Sequence, residues 1–154
     1  MLRKVHILGL FIISLIMFIA CSPSNKKIQF GTDLCDHCKM TVSDSKYGAE
    51  IVTNKGKIYI FDSIECLIGF LEKADSEQKN NFKSYWTVDY LGNGELIDAQ
   101  NAIYLRNEDF HSPMGLNIAS LKNESAIGKF NLKSTSQKLF FKEVVELVKK
   151  EWEL

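Results

Sequence analysis

The stretch that decides the fold is residues 35–70, CDHCKMTVSDSKYGAEIVTNKGKIYIFDSIECLIGF, in a chain of 154 residues. Tyr47–Thr53 and Lys57–Phe61 are rich in β-branched and aromatic residues, which favour strands. The short loop of residues 54–56 between them ends in a glycine, which tolerates positive φ. The two runs therefore predict a β-hairpin.

A helix is predicted directly after the hairpin. Asp62 is expected to be its N-cap, with Glu65 three residues later as the partner in a capping box. Apolar residues at i, i+3, i+4 and i+7 predict one packed face that ends near Ala74, and these residues are Ile64, Leu67, Ile68 and Leu71. At ~100° per residue, Cys66 lies about 150° from the centre of this face. We therefore expect Cys66 on a second packed surface.

The chain beyond this stretch repeats the same order of elements. Further strands are predicted at Ser84–Tyr90, Asn101–Arg106, Leu116–Leu121 and Lys138–Phe141. The polar segment Asp75–Asn81 is expected to be a loop, and helices are expected up to Lys129 and over Lys142–Trp152. A Leu-Gly-Asn-Gly turn divides the chain. The sequence thus predicts an α+β fold of two small subdomains of ββαβ order, residues 33–91 and 92–154.

The first residues predict export and lipidation. Arg3 and Lys4 precede an apolar run, which is typical of a signal peptide over residues 1–20. The run is shorter than the about 20 apolar residues of a membrane-spanning helix. It ends in Ile-Ala-Cys, which resembles the lipobox of a bacterial lipoprotein. Cys21 is therefore expected to be acylated, with residues 21–32 as a lipidated tether on a membrane.

Charge and cysteine count narrow the class of protein. Without the signal peptide, the chain has 17 basic against 19 acidic residues, because Arg3 and Lys4 are lost from 19 basic residues. No basic stripe remains, which argues against a nucleic-acid partner. With Cys21 acylated, three of the four cysteines remain, so at least one thiol stays outside any intramolecular disulfide. In an oxidising compartment, metal ligation would explain a persistent thiol.

Cys35, Cys38 and Met40 lie within six residues, and three interpretations of them are open. A thioredoxin-type redox dithiol needs a strand before the motif and a helix start within it, and the flanking residues favour neither. A structural zinc site would use Cys35, Cys38, Cys66 and a histidine, but a second C-x₂-C pair is missing. A Cu(I) site would use soft thiolate and thioether sulfurs. Cys38 and Met40, at i and i+2, would project to the same side of an extended segment.

Four short motifs, in order, resemble the NosL family of copper lipoproteins from nitrous-oxide reductase assembly. The motifs are Cys35-x-x-Cys38-x-Met40, Phe61-Asp62 with Cys66, Asp89-Tyr90 to Ala102-Ile103-Tyr104, and Ser112-Pro113-Met114-Gly115. The resemblance covers residues 33–122. It implies a fold of two small α+β subdomains, each of ββαβ order.

The resemblance also implies a function and a ligand set. The protein is expected to be a periplasmic Cu(I) carrier, and not an enzyme, that supplies nitrous-oxide reductase or another copper-enzyme assembly factor. The family ligands map onto Cys38, Met40 and Met114, with His111 as a neighbour or ligand. Cys35 departs from many members, which have only the second cysteine of the pair.

Two alternatives from other classes of protein stay open. One is a membrane-anchored thiol–disulfide oxidoreductase that uses Cys35 and Cys38. The other is a zinc-stabilised binding module.

Ser22 stands where an acidic residue commonly retains lipoproteins at the inner membrane, so the outer membrane is favoured.

Overall fold

The computed structural model describes residues 25–154. Its elements are β1 (Ala49–Thr53), β2 (Ile58–Phe61), α1 (Ile64–Lys73), α2 (Ser76–Asn81), β3 (Phe82–Val88), β4 (Leu96–Asp98), β5 (Ile103–Arg106), β6 (Ile118–Leu121), a 3₁₀ helix (Glu124–Lys129), β7 (Gln137–Phe140) and α3 (Phe141–Glu151). The predicted signal peptide and the predicted lipidation site Cys21 lie outside this range. Between residues 25 and 154, no helix is long and apolar enough to cross a membrane.

Two antiparallel sheets confirm the α+β prediction. The first sheet has the order β2-β1-β3-β4 and the second has the order β6-β5-β7. The predicted hairpin forms, with Ala49 of β1 opposite Phe61 of β2. Strand β4 follows the predicted boundary at residue 91, yet its Ile97 pairs with Thr87 of β3. The first sheet therefore continues past the turn, and the exact division into two subdomains stays a prediction.

The two halves share one core. Helix α3 packs against α1, and its Val144 and Val148 are fully buried in the same apolar cluster as Ile51 of β1 and Phe61 of β2. A smaller cluster lies in the second half and consists of Leu105, Phe110, Ala119, Leu121 and Ala126. The C-terminal helix thus covers the first half although the chain places it last.

Helix α1 buries the predicted face, but its predicted N-cap is wrong. The N-cap is Ser63, whose Oγ accepts a hydrogen bond from the Cys66 N–H at 3.4 Å. Asp62 lies one residue too early for that bond, and its carboxylate instead accepts from a cysteine thiol. The expected second packed surface is present, since Cys66 is fully buried.

The predicted loop over Asp75–Asn81 is also wrong. Residues 76–81 form α2, which begins with a capping box between Asp75 and Gln78. All of its residues are polar and none is buried, so the segment lacks the apolar periodicity from which a helix is predicted. Its capping residues were the available signal.

Candidate metal centre

Three cysteine sulfurs and one carboxylate converge where β2 passes into α1. The ligand atoms of Cys35, Cys38, Asp62 and Cys66 all lie within 4.8 Å of one another. We call these four side chains the thiol cluster. Cys38 is partly exposed, whereas the other three are buried. Thiolate sulfur is a ligand of soft or borderline metal ions such as Cu(I) and zinc.

A tight turn places the C-x₂-C motif. The Cys35 N–H donates to the Met40 carbonyl at 2.8 Å, and the Lys39 N–H donates to the Cys35 carbonyl at 3.0 Å. Asp36 ties this turn to β2, because its N–H donates to the Ile60 carbonyl at 2.7 Å and its carboxylate accepts from the Ile60 N–H at 2.9 Å. The motif lies in a turn and not at the start of a helix, unlike the redox dithiol weighed above.

Asp62 brings a carboxylate to the three sulfurs. The Cys38 Sγ donates to its Oδ2 at 3.3 Å. Its other oxygen, Oδ1, is buried and has no hydrogen-bond partner within residues 25–154. A buried carboxylate oxygen without a partner is unfavourable. Its position beside three thiols fits a site that takes a cation.

The three thiols of the cluster differ in pKa. A hydrogen bond from Cys66 lowers the pKa of Cys35 to about 6, although burial acts in the opposite direction. Burial is the main reason that the pKa of Cys38 is raised to about 11. The hydrogen bond to Cys35 raises the pKa of Cys66 far above its usual value. At neutral pH the cluster therefore carries a thiolate on Cys35, and the other two thiols have to lose protons to become ligands.

The C-terminal end of the chain closes one side of the motif. The His37 ring stacks on Trp152, with ring centroids 5.9 Å apart. Gly69 of α1 permits this approach, because a Cβ there would lie 2.6 Å from Trp152 Cζ3 and 2.9 Å from His37 Nε2. Burial lowers the pKa of His37, which favours the neutral ring.

Met40 does not have the predicted geometry. Lys39 has a φ of 67°, so the segment between Cys38 and Met40 is not extended. The expectation that an extended segment projects the Cys38 and Met40 side chains to the same side is therefore wrong. Met40 is 56% exposed and lies beside the motif at the surface, where its role as a ligand stays a prediction.

The other predicted ligands lie in the second half. Met114 is partly buried and packs against the core cluster that contains Cys35 and Cys66. His111 is exposed and is not one of the four residues of the thiol cluster. Metal ligation by Met114 and His111 stays a prediction.

Sequence reasoning assigned no metal role to Asp62, and it gave Cys66 one only in the alternative of a structural zinc site. The available signal for Cys66 was its place off the core face of α1, which requires a second buried contact. For Asp62 the signal was the adjacent Ser63, which is an equally suitable N-cap and leaves the carboxylate for another use.

Comparisons with known proteins agree with this fold. The sequence model of the NosL family matches residues 28–148. The crystal structure of the copper chaperone NosL from Shewanella denitrificans is similar, with a TM-score of 0.62 and 21% identity over 79% of this chain and 95% of that chain. The chain has no match among curated proteins. Since the family model spans more than half of the sequence, the chain belongs to the NosL family.

Proposed function

We propose that this protein is a Cu(I) metallochaperone that binds the ion as cargo at the thiol cluster and passes it on, with no catalytic role of its own. The observation that carries the proposal is the convergence of three cysteine sulfurs within 4.8 Å, one of them at the surface. Membership of the NosL family and the likeness to a copper chaperone support copper as the cargo.

The chemistry of the donors favours Cu(I) over harder ions. A hard ion such as Mg²⁺ or Ca²⁺ prefers a shell of oxygen ligands, whereas the cluster offers three sulfurs and one carboxylate. The Cys35 thiolate is available at neutral pH because its pKa is about 6. Cys35, Cys38 and Cys66 would form the sulfur site, with Met114 as a thioether neighbour.

The unequal burial of the thiols suits a carrier. Cys38 is partly exposed, whereas Cys35 and Cys66 are buried. An incoming sulfur ligand from a donor or acceptor protein would reach the ion on the Cys38 side. Ligand exchange would therefore begin at Cys38 and leave the buried pair to the last step.

Delivery and anchoring complete the proposal. The acylated Cys21 would hold the protein at the periplasmic side of a bacterial membrane, with the outer membrane preferred. The recipient would be nitrous-oxide reductase or another copper-enzyme assembly factor. The motifs shared with the NosL family and the lipobox-like Ile-Ala-Cys ending support both points.

The test is an anaerobic titration of the reduced full-length protein in detergent with Cu(I), in competition with a chelator of known affinity. We expect one tightly bound ion per chain. Cys38→Ser should weaken binding at least about a hundredfold, which corresponds to roughly 3 kcal/mol. Ser43→Ala, at an exposed position between the motif and β1, is the control and should bind like the wild type.

Two outcomes would overturn the proposal. Stoichiometric zinc binding without Cu(I) uptake would favour the zinc-stabilised module. Copper binding that is indifferent to Cys38→Ser would place the ion outside the thiol cluster.

A further inference from the structure

A buried hydrogen bond joins the second half of the molecule to the helix that carries a cluster thiol. The Ser112 Oγ donates to Glu65 Oε1 at 2.6 Å, and both residues are buried. Glu65 immediately precedes Cys66 in α1. The loop of the second half is therefore attached one residue away from a sulfur of the thiol cluster.

Ser112 also organises the turn that carries Met114. Its carbonyl accepts from the Gly115 N–H at 3.0 Å, which closes a four-residue turn with Met114 at the third position. Its Oγ accepts from the Asn117 N–H at 2.8 Å. Gly115 has a φ of 81°, which a glycine adopts without strain. One serine thus shapes the turn and ties it to α1.

Glu65 is an unfavourable group to bury for packing alone. Its side chain is fully buried, and its Oε2 has no hydrogen-bond partner in the described part of the chain. Burial raises the pKa of this carboxyl group. An apolar residue of similar volume would often pack at lower cost. The glutamate instead supplies a hydrogen-bond acceptor for the Ser112 hydroxyl.

We propose that Ser112 and Glu65 are positioning residues that hold the Met114 thioether against the thiol cluster in the copper-loaded protein. The inference rests on the proposed copper function. Its basis in the structure is that the buried Ser112–Glu65 bond ties the turn that carries Met114 to the residue next to Cys66.

A double-mutant cycle in the full-length protein tests this inference. Cu(I) affinity is measured by chelator competition for the wild type, Ser112→Ala, Met114→Leu and the double variant. Ser112→Ala should weaken binding about tenfold, because the turn that carries Met114 loses its bond to α1 and a ligand without its supporting bonds binds less well. In the Met114→Leu background the same substitution should have no further effect, because Ser112 acts through Met114. Glu65→Gln keeps the acceptor oxygen and should bind within about threefold of the wild type.

A matched control separates positioning from general loosening. Thr87 Oγ1 and Ser120 Oγ lie 2.7 Å apart in a buried hydrogen bond that also joins the two sheets. Ser120→Ala should lower stability to a similar extent and leave Cu(I) affinity unchanged. If Ser112→Ala does not fold by circular dichroism, Glu65→Leu removes the same bond from the helix side.

The outcomes are distinguishable. Additive effects of Ser112→Ala and Met114→Leu, or an equal loss of affinity in Ser120→Ala, would overturn the positioning role while the copper function stands. A wild-type protein that takes up no Cu(I) would overturn the proposed function itself, and the positioning role with it.

Discussion

The two halves of the molecule bury different chemistry. Within residues 25–154, all cysteines lie in the first half. The buried carboxylate oxygens that lack a hydrogen-bond partner in this range also lie there, and they belong to Glu50, Asp62 and Glu65. The separate cluster of the second half is aliphatic and aromatic, and its Phe110 packs edge-on against Phe130 with centroids 5.3 Å apart. The first half therefore carries groups that suit a metal site at a cost in stability. The second half contributes apolar packing and one loop.

The largest expected effect on stability comes from the apolar half. Leu121 is fully buried in the second cluster, so Leu121→Ala removes packed methyl groups and leaves a cavity. We expect the free energy of unfolding to fall by about 2–5 kcal/mol, measured by denaturant titration. Cu(I) affinity of the folded protein should not change. A parallel loss of affinity would mean that the two halves are not divided in this way.

An intermediate and pH-dependent effect is expected in the first half. Burial raises the pKa of Glu50 from 4.5 to about 7, so the folded protein keeps a proton that the unfolded chain loses. Through Glu50, stability should therefore fall by at most about 3 kcal/mol as the pH rises from 4.5 to 7. Glu50→Gln should remove this contribution and leave those of Glu65 and the cluster thiols, since an amide oxygen can still accept from the Lys26 N–H.

Denaturant titrations at pH 5 and pH 8 check this difference. Glu146→Gln, on the exposed face of α3, is the control and should keep the slope of the wild type. The same slope in Glu50→Gln and in the wild type would show that Glu50 is not the group responsible.

The smallest effect is expected at the surface, where an ion pair joins the residue before β4 of the first sheet to the residue after β6 of the second sheet. Lys122 Nζ lies 2.6 Å from Glu95 Oε1, and both side chains are about half exposed. Solvent screening makes such pairs weak. Lys122→Ala should leave the urea midpoint of unfolding unchanged within experimental error. A clear decrease would show that this surface ion pair contributes to holding the two sheets together.

Much of the fold could be predicted from local patterns in the sequence. The hairpin, the apolar face of α1 and strands β5, β6 and β7 follow from alternation, turn residues and helical periodicity, whereas the short strand β4 was not predicted. These signals act between residues that are neighbours in the chain. The motif Cys35-x-x-Cys38 likewise indicated a candidate metal site, with a redox dithiol as an alternative. Helix α2 was missed because it buries nothing.

The composition of the site was decided by tertiary structure. Cys66 meets Cys35 only because α1 packs across the turn that carries the motif, and Asp62 joins them because Ser63 takes the N-cap. The Ser112–Glu65 bond joins residues 47 positions apart. Sequence determined which groups are available, since thiols, caps and apolar stripes are local properties. Which of them meet depends on how the two sheets and helices α1 and α3 bury the shared core, and no local pattern contains that information.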